Sequence, residues 1–392
     1  MTYFRQTGSN LFCPDFLMET AAKYTNNFLR KLDEHVDFAK LWRDKLVDTY
    51  KGRCSLGPPS YPPETILKML FLSYLFNVTE REIERIINDS ISMKTFPGLA
   101  LNEPAPDHSS LTRFKNRILE YNDRSCSGGD IFREMFDGII LPAQKKGISP
   151  GFTQVIDSTH TVADVNTGKD KERRKKEKDG GEGKPPRDTD ARWGVKKMNK
   201  IKTEEGKIIK IRESYFGYKS HFSGNAGTNL ITSYRVTPMN ACDTHHFEPL
   251  MRDDLRKRAA LRGKTAYTAD RAYDDGENHA WLNQEKLKDA VCLKNVKEDE
   301  KFTDKNGKEK VKARWKTYTS QDEFEAGKAE RYTIERMNAS CKKHHGLGHA
   351  RYLGLAKMNI QTALTAMTHN LKTLVKLWTG TGFRTPCPAH VS

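Results

Sequence analysis

Near the C-terminal end of the chain one carboxylate stands between two cations: Arg331 lies four residues before Glu335, and Lys342 seven after it. On a helix from Ala329 to His345, at roughly 100° per residue, Arg331, Glu335, Asn338 and Lys342 project within about 60° of one another. Ile334, Met337 and Cys341 then form a separate apolar stripe that can face a core. Taken alone, such a ridge is ordinary ion pairing on a solvated face. Two upstream carboxylates change its weight. Asp157 sits towards the C-terminal end of the strand-like run Phe152 to Thr159, and Asp270 closes the short run from Thr265. Side chains at strand ends of an open mixed sheet can converge at one edge, and a helix can cover that edge. Oxygen ligands so arranged suit Mg²⁺ or Mn²⁺. Two ions about 3.5–4 Å apart would activate the attacking water or hydroxyl and stabilise the leaving oxygen of a phosphodiester. Arg331 and Lys342 would then hold phosphate beside a metal-binding Glu335. By spacing alone Asp164, Asp274, Asp275 and Glu330 remain alternatives.

The elements that must position these groups are legible as patterns. Residues from about Pro14 to Lys51 read as a helical arm, closed by a Gly/Pro-rich break at Gly57 to Pro63. Ile66 to Phe76 reads as a buried helix. Asn77-Val78 make a turn, and Thr79 with Glu82 form a capping box that opens the next helix, through Ile83, Ile86 and Ile87. Asp107 or Ser109 caps a third helix, Ser110 to Ile118, with Leu111, Phe114 and Ile118 on an apolar side and Arg113, Lys115 and Arg117 on a basic one. Short helices joined by tight turns suit a helix-turn-helix-like DNA reader; a plain helical bundle with a solvated basic face is the bland alternative.

After the strand of Asp157, residues 168–192 carry almost no apolar side chains and are expected to form a mobile basic loop, either a solvated linker or a DNA clamp. Their charges alternate in sign more than they accumulate. Ser214 to Phe222 and Asn229 to Thr237 predict a hairpin. A helix from His245 to about Ala260, capped by Thr244, the strand of Asp270, a helix over 275–287 and a strand at Ala290 to Leu293 complete a mixed sheet covered by helices. Residues 294–327 are a polar insertion with a little β structure around Trp315 and Tyr318, and a last amphipathic helix spans Ala356 to Trp378.

Composition narrows the partner. The 392 residues imply two or three domains, and 67 Lys+Arg against 51 Asp+Glu leave a net charge of +16, which favours a polyanion, nucleic acid first. The 7 cysteines are scattered without a Cys-x-x-Cys pair, which argues against zinc or a disulfide framework and for a reducing compartment. His245-His246 and His344-His345 have no ligand spacing either, so capping, packing or phosphate contact is favoured over zinc. The longest apolar stretch, Ile66 to Phe76, is too short to span a bilayer. With no signal peptide visible, the expectation is a soluble cytoplasmic, nucleoid-associated protein without membrane contact.

Four stretches together resemble the DDE transposases of bacterial insertion sequences, in the branch whose third carboxylate lies in a Tyr-Arg-Glu-Lys helix signature. They are Tyr61 to Phe114, Val155 to Thr159, Asp190 through Tyr215–His221 to Asp274, and Ile334 to Lys372, in the family's order. The resemblance implies a ribonuclease-H-like α/β catalytic domain behind an all-α, helix-turn-helix-like N-terminal domain. It also implies Asp157, Asp270 and Glu335 as a catalytic triad binding Mg²⁺ (or Mn²⁺), as two ions. Arg331 and Lys342 match the signature's Arg and Lys, whereas Lys328 stands where its Tyr would fall; Ala272 stands where the family often has Gly. The implied boundaries are an arm over 1–58, a helical DNA-binding domain over 59–145, a catalytic domain over 146–378 and a loose tail over 379–392. Expected DNA contacts are Arg113, Lys115, Arg117, Lys328, Arg331 and Lys342.

The reading that follows is a transposase that binds the terminal inverted repeats of its element and hydrolyses the phosphodiester at the element's 3′ end. It then transfers the freed 3′ hydroxyl to target DNA, without a covalent protein–DNA intermediate. Double-stranded DNA is the partner, and joining two ends implies a homodimer or larger assembly. The rivals are a catalytically inactive DNA-binding protein or repressor and a stand-alone metal nuclease.

Overall fold

The computed structural model describes residues 27–50, 59–100, 102–124, 129–145, 151–181, 184–202, 208–257, 264–312 and 318–380. Its contacts divide the chain into two units. One comprises residues 1–148, 344–346 and 363–392, and the other 149–343 and 347–362.

The first unit holds α1 (Asn27–His35), α2 (Phe38–Asp48), α3 (Pro63–Leu75), α4 (Glu80–Asp89), α5 (Ile91–Thr95), α6 (His108–Arg124) and α7 (Ile131–Lys145). Helix α3 is apolar nearly all round and is buried along its length, with Leu70 and Leu72 at 0% exposure. Asn77 takes a left-handed φ of 55° in the turn after it, and the Thr79–Glu82 capping box starts α4 as its residues predict. Asp107 Oδ1 accepts from the Ser110 amide at 2.9 Å in the first turn of α6. Part of the arm predicted from Pro14 lies outside the described residues, as do Trp315 and most of the expected loose tail.

The second unit is built on a sheet ordered β2-β3-β1-β5-β6, with β4 also paired to β3. Its elements are β1 (Thr153–Val162), α8 (Thr167–Lys178), β2 (Arg192–Lys202), β3 (Ile208–Asn225), β4 (Ile231–Pro238), α9 (Phe247–Lys257), β5 (Ala266–Ala269), α10 (Gly276–Gln284) and β6 (Lys288–Asp289). They continue with a β7 (Lys301–Thr303) and β8 (Glu309–Val311) ribbon, then α11 (Gln321–Ala329), α12 (Tyr332–His344) and α13 (Leu355–Thr379), which enters the first unit from Ala363. β3 runs antiparallel to β1 from Asn225 opposite Gln154 to Gly217 opposite Val162. On its other edge it pairs first with β2 and then with β4. β5 runs parallel to β1, and β6 parallel to β5.

Alternation along the strands assigns the two faces. Ile156, Tyr267 and Ala269 pack with Phe247, Leu250 and Met251 of α9 and Leu282 of α10. Asp254 of α9 is a buried carboxylate fully spent on structure: it accepts from Gln154 at 3.3 Å, Ser223 at 2.5 Å and Ser233. On the other face α12 seats Ile334 and Met337 over Gly224, where any Cβ would lie 2.5 Å from the Met337 sulfur.

Three expectations are corrected, and one element is new. Residues 167–178 form a helix, not a mobile loop: the Asn166 side chain caps its start, and Gly180, at φ +82°, lies just past its end. The β2–β3 ribbon was not read from sequence. Ala290 to Leu293 lie beyond the two-residue β6 rather than forming a strand. The helix expected from Ala329 is two helices, since α11 ends at Ala329 and α12 starts at Tyr332.

Candidate active site

The paired register of the parallel strands β1 and β5 ends at Ile156 opposite Ala269. The next residue on each strand is Asp157 and Asp270, so two carboxylates leave neighbouring strands side by side, with strand spacing near 4.8 Å. β1 continues beyond this point paired to β3, while on its β5 side the ladder stops until Val162, which bridges in parallel to His349. Asp270 is fixed by its own turn, its Oδ1 accepting from the Ala272 amide at 2.9 Å.

Helix α12 closes over the pair from the sheet face it packs on. Its Asn338, 6% exposed, donates from Nδ2 to Asp157 Oδ2 at 2.9 Å. Asn338 Oδ1, buried as well, has no hydrogen-bond partner among the described residues. One turn earlier Glu335 is exposed and paired with Arg331 at 2.8 Å. Lys342 Nζ lies 3.1 Å from His160 Nδ1, and the His160 ring stacks on Tyr215 at 4.8 Å.

The electrostatics agree with a cluster of acids. Burial pushes the Asp157 carboxyl up to about 7, the charges of Asp270, Asp243 and Glu335 add to it, and a hydrogen bond from the Ser158 backbone opposes it. Asp270 is also raised, by burial and by Asp243, against the Ala272 hydrogen bond and the Arg331 and Lys294 charges. Burial is the larger cause at both aspartates, and a cation beside a buried carboxylate would relieve it.

Asp243 was missed at the sequence level. It follows β4 and accepts from Lys219 Nζ at 2.9 Å, while His221 Nδ1 lies 3.8 Å away. Burial, then the His246, Lys219 and Arg235 charges, hold His221 well below its ordinary pKa, and its ring lies 4.5 Å from that of His246. The only sequence signal was the β3–β4 hairpin, from whose second strand the chain runs on to Asp243.

The alternative carboxylates are engaged elsewhere. Asp274 accepts from the Lys294 amide at 2.5 Å and lies 2.9 Å from His279; Asp275 caps α10 through the Glu277 amide; Glu330 accepts from Thr333. Asp164 lines a cleft beside α8. Of the expected DNA contacts, Lys115 is corrected: it is 3% exposed and ion-paired to Glu80, because the basic side of α6 partly faces α4. Arg117 stacks on Tyr50 at 3.8 Å, and Arg113 is exposed, 3.7 Å from Asp107. Lys328 lies on α11, 5.9 Å over Phe324, so it does not share a helix with Glu335. Arg331 lies in the junction between the two helices. His345 is fully buried and bonds the Tyr74 carbonyl at 3.1 Å, a packing role.

The donors present are oxygens, which fit Mg²⁺ or Mn²⁺ better than zinc. The open acceptor on Asn338, beside a carboxylate that resists ionisation, suits a hydrated cation. Among the described residues no three His, Cys, Asp or Glu side chains are gathered to hold one ion as they stand; Glu335 is turned to Arg331.

Comparison with known proteins agrees in kind. Residues 18–117 match the family model "Transposase domain (DUF772)", and residues 154–371 match "Transposase DDE domain". The chain is 26% identical over 249 residues to the transposase for insertion sequence element IS1106 of Neisseria meningitidis serogroup B, covering 62% of this chain and 72% of that protein. A cryo-EM structure of a piggyBac transposase synaptic complex with hairpin DNA aligns at TM-score 0.42 and 9% identity, over 95% of this chain and 78% of that one, a likeness too weak to bear on fold or function. Two neighbouring acids at the ends of parallel strands, a third on the helix above them, and a family match over more than half of the chain lead to one conclusion: this protein belongs to the transposase DDE domain family.

Proposed function

We propose that the chain is an active transposase that binds the terminal inverted repeats of its insertion sequence, cleaves the phosphodiester at the 3′ end, and joins the freed 3′ hydroxyl to target DNA. The observation that carries this reading is the β1–β5 register, which ends one residue before both Asp157 and Asp270. Asp157, Asp270 and Glu335 are the acidic groups that would hold Mg²⁺ or Mn²⁺, as two ions. When bound, the metal supplies Lewis acidity towards the phosphoryl oxygens and the attacking water.

The chain's own residues do the rest. Asn338 holds one oxygen of Asp157 through its side-chain amide. Arg331 releases Glu335 when a phosphate competes for its guanidinium, so substrate binding and site closure are one event. Lys342, beside His160, presents positive charge along the same helix, and Lys328 approaches from α11 as a point charge. Joining two ends requires a dimer or larger assembly on double-stranded DNA.

The test is strand cleavage of duplex carrying the element ends, with Mg²⁺ and with Mn²⁺. Asp157→Ala, Asp270→Ala and Glu335→Gln should each fall to background while still shifting the DNA in a gel. Binding without cleavage in the parent chain, under every metal and salt condition, would sink the reading and favour a repressor. Cleavage without end specificity or joined products would favour a nuclease.

A further inference from the structure

Helix α8 is an odd element: twelve residues with seven Lys/Arg against three Asp/Glu, no apolar stripe, and one buried residue, Asp170. A helix polar all round does not hold its place by hydrophobic packing. This one is pinned by a charge network instead. The Asp170 carboxylate accepts from Trp193 Nε1 at 2.6 Å and from Arg173 at 2.7 and 3.1 Å, and Lys171 lies 5.5 Å over the Trp193 ring. Lys169, Arg173 and Lys176 line a cleft of about 740 Å³ together with Lys184 and Arg187 from the returning chain; Asp164, Asp170 and Glu172 offset part of that charge.

We propose that this cleft is a docking surface for the phosphate backbone of duplex DNA, separate from the Asp157–Asp270 edge. Lys169 and Lys176 are seven residues apart, which puts them on one side of the helix and about 10 Å apart along its axis. That span is wide enough for the two cations to sit on different phosphates of one strand. Small-molecule sites have mostly apolar walls; here Val165, Pro185 and Pro186 are the apolar lining residues. β1 carries the chain about 17 Å from Asp157 to Val162 at ~3.3 Å per residue, so the cleft grips DNA some five base pairs or more from the reacting bond. The proposal rests on the chain acting on DNA, not on which carboxylates react.

The test is fluorescence anisotropy of full-length protein with element-end duplex in EDTA, over a series of NaCl concentrations. Lys169→Ser/Lys176→Ser/Lys184→Ser should flatten the slope of log affinity against log salt by about 2–3, since each phosphate contact contributes ~0.9. Lys40→Ser/Lys305→Ser/Lys308→Ser, which removes the same charge elsewhere, should change it by less than about half a unit. Equal slopes in the two variants, both folded by circular dichroism, would overturn the docking surface. A wrong catalytic assignment would appear separately, as cleavage retained in Asp157→Ala with these slopes unchanged.

Discussion

Asp157 titrates in a way that follows directly from its place. Its folded pKa of about 7 lies above the ordinary 3.8, burial being the largest cause. The folded state therefore keeps a proton that the unfolded chain releases. Stability from this group is intact below about pH 4, falls as pH rises towards 7, and levels above that. Asp157→Asn removes the penalty. In EDTA the variant should resist urea better than the parent at pH 8, by about 2–4 kcal/mol, and match it near pH 4. Equal gains at both pH values would mean that charge burial is not the cause. Asp254 shows why a buried acid is not by itself a site: with Gln154, Ser223 and Ser233 donating to it, it has no need of a cation. That distinction could not be read from the sequence, where Asp254 and Asp157 are both acids in amphipathic segments.

At the scale of elements, the height of α12 above the sheet decides whether Glu335 and Asn338 reach the strand ends. Gly224 sets that height, with the Met337 sulfur at 2.5 Å and Ile334 Cδ1 at 3.1 Å from where a Cβ would stand. Gly224→Ala should cost about 1–3 kcal/mol through overpacking. It should also slow cleavage by roughly 10–100-fold through misplacement of the helix, with DNA affinity little changed. Thermal unfolding and single-turnover cleavage check the two parts, and a destabilised but fully active variant would show that α12 does not position the acids. The helix periodicity near Glu335 was legible because Ile334, Met337 and Cys341 repeat at helical spacing. The break before Tyr332 was not, because Ala329, Glu330 and Arg331 all favour helix. Residues 167–178 were misread for the converse reason: the anchor of this helix, Trp193, lies 23 residues from Asp170.

For the whole molecule, the units do not follow chain order. Residues 363–392 are counted with the N-terminal helices, and Leu364, Met367, Leu371, Leu374 and Val375 of α13 are at most 4% exposed. At about 1.5–3 kcal/mol per fully buried side chain, their loss exceeds what a helical domain can spare. A chain ending at Thr362 should therefore lose protection of its N-terminal helices to limited proteolysis, whereas one ending at Gly380 should keep it. Equal protection in both would mean the first unit folds without α13. Among the described residues no helix is long and apolar enough to cross a membrane.

The sequence by itself determined the local terms: the capping box at Thr79, the buried helix at Ile66 to Phe76, the strand character around Asp157, the apolar stripe of α12, and the basic balance that points to nucleic acid. Each depends on neighbours within one or two turns, where periodicity and capping chemistry suffice. Only the tertiary structure decided that Asp157 and Asp270 leave adjacent parallel strands at the same register. It alone brought Asp243 and Asn338 to that edge, buried Lys115 against Glu80, and pinned α8 through Trp193. Those outcomes depend on strand pairing and on burial between residues distant in the chain, which set the desolvation that makes one aspartate a structural anchor and another a candidate for metal.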